Sequence, residues 1–340
     1  MLLSVTYMKL LVTGGLGFIG SNFIKYILKK HNDASVINID KCSYGSNEAN
    51  LRDITNNPRY SFIKGDICNF DLIKNLVNDV DFIINFAAET HVDRSVSNPR
   101  PFIESNFIGA FTLLEAVRRY NQKVKLIHIS TDEVYGDIII GSFKEGDRLR
   151  PSSPYSASKA AADLLIHAYH RTYGVNAIII RCTNNFGPYQ FPEKLIPKTI
   201  IRAKLGLKIP IYGSGKNIRD WIYVVDHCRA IELLMEKGAP GEIYNISSGN
   251  ELMNIEVVKK ILKIMDKGEE YIEFVEDRPG HDIRYSLDST KIRNLGWKPI
   301  YSFEEALKKT VKWYLDNEWW WRPLADERIL HPTPWRIEWE

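Results

Sequence analysis

The fold is decided by the stretch Thr13-Gly14-Gly15-Leu16-Gly17-Phe18-Ile19-Gly20. The apolar residues 10–12 lead into it, and residues 21–28 have the pattern of a helix. A glycine-rich turn between a strand and a helix forms a pyrophosphate cradle, because glycine lets the backbone approach the ligand and the helix N-terminus offers free N–H groups. A second strand, 35–39, ends in Asp40, where a carboxylate accepts hydrogen bonds from an adenosine ribose. A turn with no ligand is the alternative, but the spacing favours NAD binding.

Size and composition suit a globular enzyme. The chain has 340 residues, 44% of them hydrophobic and 26% charged, and a net charge of +3. This balance argues against a nucleic-acid surface or a polybasic membrane anchor, and no apolar run reaches the ~18 residues of a membrane span. The four cysteines form no Cys-x-x-Cys pair, so we expect no structural zinc, no disulfides and a cytoplasmic location. Residues 1–7 lack the features of a signal peptide, and Met8 is an alternative start to Met1.

Strands and helices alternate through the first half of the chain. This pattern predicts an α/β fold, a Rossmann-like doubly wound parallel sheet with a smaller loop-rich lobe. We assign residues 1–185, with about 222–245, to the NAD-binding domain, and expect residues 222–237 to return a strand and a helix to the main sheet. Residues 186–221 and about 246–320 form the expected nucleotide-sugar-binding lobe. The aromatic C-terminal tail, 321–340, is expected to pack on the body or on a partner.

Tyr155 and Lys159 lie four residues apart near the start of a predicted helix, 155–173, and so share one face. A phenol ionises near pH ~10, and a nearby ammonium lowers the cost of making it a base. A surface Tyr/Lys pair is the alternative, and the neighbouring NAD cradle favours catalysis.

A hydroxyl and two adjacent acids, Thr131-Asp132-Glu133, end the preceding strand. In an extended chain the two acids point to opposite faces, so both reach one ligand only if the chain curls, which Gly136 permits. A solvated acid pair is the alternative. The functional interpretation is a split role, in which a buried protonated acid donates to a leaving hydroxyl and an ionised one removes a carbon-bound proton.

Several longer sequence motifs point to one particular family. They are residues 87–95, 130–136, 184–195, 219–221 and 277–282. Together with Thr-Gly-x-x-Gly-x-x-Gly and Tyr-x-x-x-Lys, they resemble the dTDP-glucose 4,6-dehydratases, a nucleotide-sugar family of the extended short-chain dehydrogenase/reductases. The resemblance covers nearly the whole chain.

The resemblance implies a lyase that removes water from dTDP-glucose to give a 4-keto-6-deoxy sugar, with hydride leaving C4 for NAD and returning to C6. Tyr155 would take the C4 hydroxyl proton, Glu133 the C5 proton, and Asp132 would protonate the C6 hydroxyl. Thr131 and Lys159 would orient the sugar, the tyrosine and the cofactor.

The resemblance also implies binding residues. The cofactor set is Gly14, Gly17, Phe18, Ile19, Gly20, Asp40, Lys41, Ser43, Asp66, Ile67, Ala87, Ala88, Ser105, Tyr155, Lys159 and Asn185. The substrate set is His91, Thr131, Asn184, Lys194, Leu195, Pro210, Tyr212, Arg219, Asn245, Arg278 and His281. Three of these residues also have a purely structural alternative. Arg219 could form only an ion pair, Asn245 could cap the end of a strand, and His91 could simply lie in a loop.

The residues alone leave alternative functions open. A UDP-glucose 4,6-dehydratase, another NAD-dependent nucleotide-sugar epimerase or decarboxylase, and a non-catalytic NAD-binding regulator are the rivals. The resemblance implies a homodimer through two long helices, with no nucleic-acid or membrane partner. His167, His170 and Asp163 lack a fourth ligand and are expected on a solvated helix face, so no metal is predicted.

Overall fold

A computed structural model describes residues 8–338 of the chain. The expectations for Met1 and residues 1–7 lie outside these residues. The strands are β1 (Met8–Thr13), β2 (Ala34–Asp40), β3 (Tyr60–Lys64), β4 (Phe82–Asn85), β5 (Lys125–Thr131), β6 (Ala177–Cys182), β7 (Asn184–Phe186), β8 (Ile209–Tyr212), β9 (Ile218–Tyr223), β10 (Ile243–Ile246), β11 (Glu251–Met253) and β12 (Ile272–Val275).

Helices alternate with the strands and cover the sheet. They are α1 (Phe18–Lys30), α2 (Phe70–Leu76), α3 (Val92–Ser97), α4 (Arg100–Phe102), α5 (Gly109–Tyr120), α6 (Pro154–Tyr173), α7 (Leu195–Lys204), α8 (Val224–Lys237), α9 (Asn254–Ile264), α10 (Thr290–Asn294), α11 (Phe303–Asp316) and α12 (Glu318–Trp321). A π-helical segment, Ile103–Ile108, joins α4 to α5, and short 3₁₀ turns include Asp132–Val134 and Pro334–Arg336.

The main sheet has seven strands in the order β10-β6-β5-β4-β1-β2-β3, and every neighbouring pair is parallel. The strand order reverses beside β1, and ligands of such sheets bind at the carboxyl ends of the strands there. Helices α1 and α8 pack together, while α2, α5 and α6 contribute to a second apolar cluster. Burial on both faces explains why the strands are nearly continuous apolar runs.

The second lobe is built from two small sheets, β11-β9-β7 and β12-β8. The prediction that residues 222–237 return a strand to the main sheet is wrong, because β9 pairs with β7 and β11 instead. Helix α8 does pack against α1, and the returning strand is β10, which pairs with β6. No glycine or proline falls between residues 216 and 237, so the sequence shows no break between β9 and α8.

The C-terminal tail packs on the body of the chain. Trp320 and Trp321 are buried, and Trp320 Nε1 donates to Asn50 Oδ1 at 2.7 Å. Further along, Trp335 packs edge-on against Tyr212, with ring centroids 4.7 Å apart. Across residues 8–338, no helix is both long and apolar enough to cross a membrane.

Candidate active site

The glycine-rich turn forms a cradle at the carboxyl end of β1. Gly14 has a φ of +68°, and a Cβ there would lie 2.6 Å from the backbone nitrogen of Ala87. Gly17 caps α1 without a side-chain hydrogen bond, and the first turn of α1 carries no acidic residue. The N–H groups of the first turn of α1 are therefore available to an anion such as a pyrophosphate.

Asp40 faces the same cavity from the end of β2. Its Oδ2 accepts from the Leu16 N–H at 3.0 Å and its Oδ1 from the Cys42 N–H at 2.8 Å. Burial raises the pKa of Asp40, and these two hydrogen bonds and Lys41 oppose that shift. The fixed carboxylate has lone pairs left for a ribose diol and repels a 2′-phosphate, which fits NAD better than NADP.

A cavity of about 290 Å³ runs from this cradle to the acid pair. All the residues that the resemblance assigned to the cofactor line it, together with Thr131, Asp132 and Glu133. Within its wall, Lys41 Nζ donates to Ser105 Oγ at 2.6 Å. The cavity thus holds a cradle for a dinucleotide at one end and reactive groups at the other.

A second cavity of about 190 Å³ adjoins the first. Its walls hold most of the residues assigned to the substrate, namely His91, Asn184, Lys194, Leu195, Pro210, Tyr212, Arg219, Arg278 and His281. Glu133 lines both cavities. Four cationic side chains line this cavity, Lys194, Lys198, Arg219 and Arg278. Such a set suits a diphosphate, and the arginine fork binds two oxygens at once.

The structure corrects the assignment of Asn245 to the substrate. Its side chain is fully buried below the site, and it lines neither cavity. Its Oδ1 accepts from the Tyr135 hydroxyl at 2.9 Å, and its Nδ2 donates to the Phe143 carbonyl at 3.0 Å. Asn245 therefore ties β10 to the loop that follows β5.

The capping of α6 places Tyr155 and Lys159 in the cavity wall. Ser153 and Ser156 form a capping box at the helix start, which fixes the first turn. Tyr155 is buried, and its pKa is raised well above the usual value by burial and by the charge of Glu133. A phenol in this setting becomes a base only when a cation offsets those effects.

Lys159 lies one helical turn after Tyr155 on α6 and lines the same cavity. Its Nζ donates to the Ile129 carbonyl at 2.6 Å and lies 3.2 Å from His128 Nε2. Burial lowers the pKa of Lys159 to about 8, while Asp163 opposes the shift. The expectation that Asp163 lies on a solvated face is wrong: it is buried, and its Oδ2 accepts from Arg181 Nε at 2.8 Å.

The chain bends at the acid pair, so that Asp132 and Glu133 line the same cavity. Thr131 ends β5, its Oγ1 donates to Asp132 Oδ1 at 3.1 Å, and it accepts from the Glu133 N–H at 3.3 Å. The 3₁₀ turn that starts at Asp132 makes the bend, before Gly136 is reached. Gly136, with a φ of +82°, then lets the chain pass against the Arg150 carbonyl.

The two acids differ in their surroundings. Burial and the charge of Glu133 raise the pKa of Asp132 to about 8, and its Oδ2 has no hydrogen-bond partner among residues 8–338. Burial also raises the pKa of Glu133, but Arg278, Arg219 and Lys194 oppose that shift. At neutral pH the site therefore offers a proton on Asp132, while three cations near Glu133 oppose the upward shift of its pKa.

Several residues of the site were missed by the sequence reasoning. Glu193 lines both cavities, accepts from the Tyr44 hydroxyl and lies 3.4 Å from His91 Nε2. Asn254 lines the second cavity with a buried Oδ1 that has no partner within residues 8–338. Glu193 stands beside Lys194 in one of the quoted strings, which was a usable signal, whereas Asn254 belongs to no motif.

Comparison with known proteins agrees with this geometry. The family model described as GDP-mannose 4,6 dehydratase matches residues 11–310. The dTDP-glucose 4,6-dehydratase of Escherichia coli is 46% identical, with 94% of this chain and 97% of that protein covered. The low-salt glycan biosynthesis protein Agl12 of Haloferax volcanii is 49% identical, with 92% and 100% covered. This chain belongs to the nucleotide-sugar 4,6-dehydratase family.

A solved relative carries the cofactor. The DesIV dTDP-glucose 4,6-dehydratase of Streptomyces venezuelae, crystallised with NAD and TYD bound, is 46% identical and superposes with a TM-score of 0.91, covering 94% of this chain and 100% of that one. The family and the Rossmann-like parallel sheet predicted from the sequence are therefore confirmed.

Proposed function

We propose that this dehydratase converts dTDP-glucose to dTDP-4-keto-6-deoxyglucose with NAD as cofactor, which makes it a hydro-lyase. The observation that carries the proposal is the position of Glu133, on the wall common to a dinucleotide-shaped cavity and a cation-lined one. An acid in that place lies between a cofactor and a sugar. Epimerisation alone has no need of the adjoining protonated Asp132.

The residues divide the proton transfers among them. When bound, NAD supplies a reversible hydride acceptor for the sugar carbons. Tyr155, one turn before Lys159 on α6, takes the proton of the C4 hydroxyl while the C4 hydrogen would leave as hydride to the cofactor. The resulting ketone acidifies the C5 proton. Glu133 removes that C5 proton while Asp132 protonates the C6 hydroxyl, which leaves as water. The hydride taken from C4 would then be returned to C6, and Glu133 would return a proton to C5, which gives the 4-keto-6-deoxy product.

The second cavity suits the nucleotide diphosphate. Arg219 is held in place by its own hydrogen bonds to the Asp282 and Ile218 carbonyls at 2.9 and 2.7 Å. Arg278 is held by Asp93 at 2.9 Å. Cations fixed in this way lose little side-chain entropy when a diphosphate binds, so they favour affinity. The aromatic ring of Tyr212 offers a face for a base.

Incubation of the NAD-loaded protein with dTDP-glucose and, separately, with UDP-glucose tests the proposal. We expect loss of one water by mass from dTDP-glucose. A product of unchanged mass with inverted C4 would indicate an epimerase, and dehydration of UDP-glucose alone would reassign the nucleotide. A protein that binds NAD but changes neither sugar would be a regulator.

The assembly we propose is a homodimer in the cytoplasm. Large apolar side chains face outward near two long helices. Phe111 on α5 is 42% exposed, and Ile108, just before α5, is 40% exposed. Leu164 and Tyr173 on α6 are 62% and 50% exposed. A second copy of the same face would bury them against their equivalents. Sedimentation should give a dimer, and Leu164→Glu should shift it to monomer. The free cysteines of residues 8–338 suit a reducing compartment.

A further inference from the structure

A buried line of polar side chains crosses the main sheet below Lys159. Thr13 Oγ1 donates to Asn85 Oδ1 at 2.6 Å, and Asn85 Nδ2 lies 2.9 Å from His128 Nδ1. His128 Nε2 in turn lies 3.2 Å from Lys159 Nζ. Each of the four side chains is at most 2% exposed. The line joins the strand of the glycine-rich turn, β1, to the helix of the reactive lysine, α6.

The imidazole in this line is neutral. Burial and the charge of Lys159 both lower the pKa of His128 far below its usual value. A neutral imidazole has one N–H and one acceptor nitrogen, so the line has a direction. With the N–H on Nε2, Lys159 must accept as an amine. With the N–H on Nδ1, Nε2 accepts from the Lys159 ammonium. This tautomer needs the Asn85 amide turned by about 180°, so that its oxygen accepts from Nδ1 and its Nδ2 donates to Thr13 Oγ1 in place of the Thr13-to-Asn85 bond.

We propose that His128 is a positioning residue that holds Lys159 in its charged form by accepting from the ammonium at Nε2. His128 lines neither cavity, so it acts on the reaction through Lys159 and does not touch the substrate. The inference rests on the proposed function, in which the ammonium makes Tyr155 a usable base.

The other groups around the ammonium do not replace the imidazole. From β5, the Ile129 carbonyl accepts from Lys159 Nζ at 2.6 Å. From its own helix, Asp163 favours the charge, but this carboxylate is already paired with Arg181. From β6, Cys182 contributes only when ionised, and burial raises the pKa of its thiol to about 12. Loss of the imidazole therefore removes an acceptor that an ammonium in this apolar setting needs.

The test follows the first chemical step alone. NAD-loaded enzyme is mixed rapidly with dTDP-glucose, and the rate at which NADH absorbance appears is recorded from pH 5.5 to 10. In His128→Leu we expect the alkaline limb, where Lys159 loses its proton, to move down by about one pH unit, because a hydrogen bond to a charged group is lost. His128→Gln, whose amide oxygen can accept, should restore most of the shift.

Leu126→Ala is the matched control. Leu126 is buried on the same strand and the same face, two residues before His128. Leu126→Ala should lower the thermal stability of the protein and leave the acid and alkaline limbs of the pH profile in place. The proposal is overturned if the rate of NADH formation in His128→Leu falls equally at every pH, so that the limbs of the pH profile do not move. It is also overturned if the pH profile is unchanged.

If His128→Leu does not fold, nitrogen NMR of the histidine rings in the wild-type holoenzyme decides, with His128→Gln identifying the signal. A protonated Nδ1 supports the proposal, and a protonated Nε2 overturns it. Failure of the proposed function looks different, since the wild type itself would then form no NADH from dTDP-glucose.

Discussion

Asp132→Asn separates the proton donor from the rest of the site. The substitution keeps the size of the side chain and its place beside Thr131, but it removes the proton that we assign to the leaving hydroxyl. Since general acid catalysis contributes roughly 10²–10⁴-fold, dehydration should slow by that factor. Oxidation at C4, which depends on Tyr155 and Lys159, should continue at close to the wild-type rate.

The pKa of Asp132 sets the pH dependence of the step. With a value of about 8, the acid is about 90% protonated at pH 7. Elimination should therefore fall about tenfold per pH unit above pH 8. Rapid quenching and mass spectrometry of the sugar, alongside NADH absorbance, separates this step from C4 oxidation.

Stability gives a second and independent readout. A carboxyl whose pKa rises from 3.8 to about 8 on folding stabilises the fold least at high pH, because stability is full below the unfolded value and is lost as pH rises through about 8. The shift of about four pKa units sets a ceiling of about 5 kcal/mol on this effect. Asp132→Asn should thus be more stable than the wild type at pH 9, and the difference should shrink as the pH falls toward about 4.

Asp79→Asn, an exposed partner of Lys9, is the control and should change neither readout. Full dehydration by Asp132→Asn would remove Asp132 from the mechanism. A variant that is less stable than the wild type at pH 9 would show that Asp132 is ionised and well paired in the folded protein.

Three further predictions concern the other reactive groups and the cradle. Glu133→Gln should form the 4-ketone and NADH in a single turnover but release no dehydrated product. NADH absorbance and the mass of the sugar follow the two steps, and full turnover would show that Glu133 is not the base that removes the C5 proton. Tyr155→Phe should slow C4 oxidation by roughly 10²–10⁴-fold with NAD still bound, and a smaller loss would point to another base. Gly14→Ala should weaken NAD binding more than tenfold by calorimetry, because its Cβ meets the Ala87 backbone, whereas Gly146→Ala, in open space, should bind normally.

Local patterns made most of the fold and part of the site predictable. The glycine spacing after β1, the acid at the end of β2 and the Tyr-x-x-x-Lys pair each act within one element or one turn, so a single sequence displays them. The pairing of β9 with β7 and β11 was not predictable, because the choice of partner strand depends on the whole lobe and not on a pattern within β9.

Tertiary placement explains the remaining errors. Asn245 lies inside β10, between the apolar residues Tyr244 and Ile246, and the loop after β5 uses both of its polar atoms. Asn254 begins α9 with no motif around it, and only the fold brings it to the second cavity. His128 is a polar residue inside an apolar strand, and its contact with Lys159 comes from a different element.

The fate of the C4 hydrogen tests the central claim most directly, namely that the phenol, both acids and one cofactor surround a single hexose. dTDP-glucose carrying deuterium at C4 is mixed with unlabelled substrate and NAD-loaded enzyme, and the product is read by mass spectrometry and NMR. We predict deuterium on C6 of the product molecules that began with it, and none on those that did not. Unlabelled product, or label shared between molecules, would contradict the account.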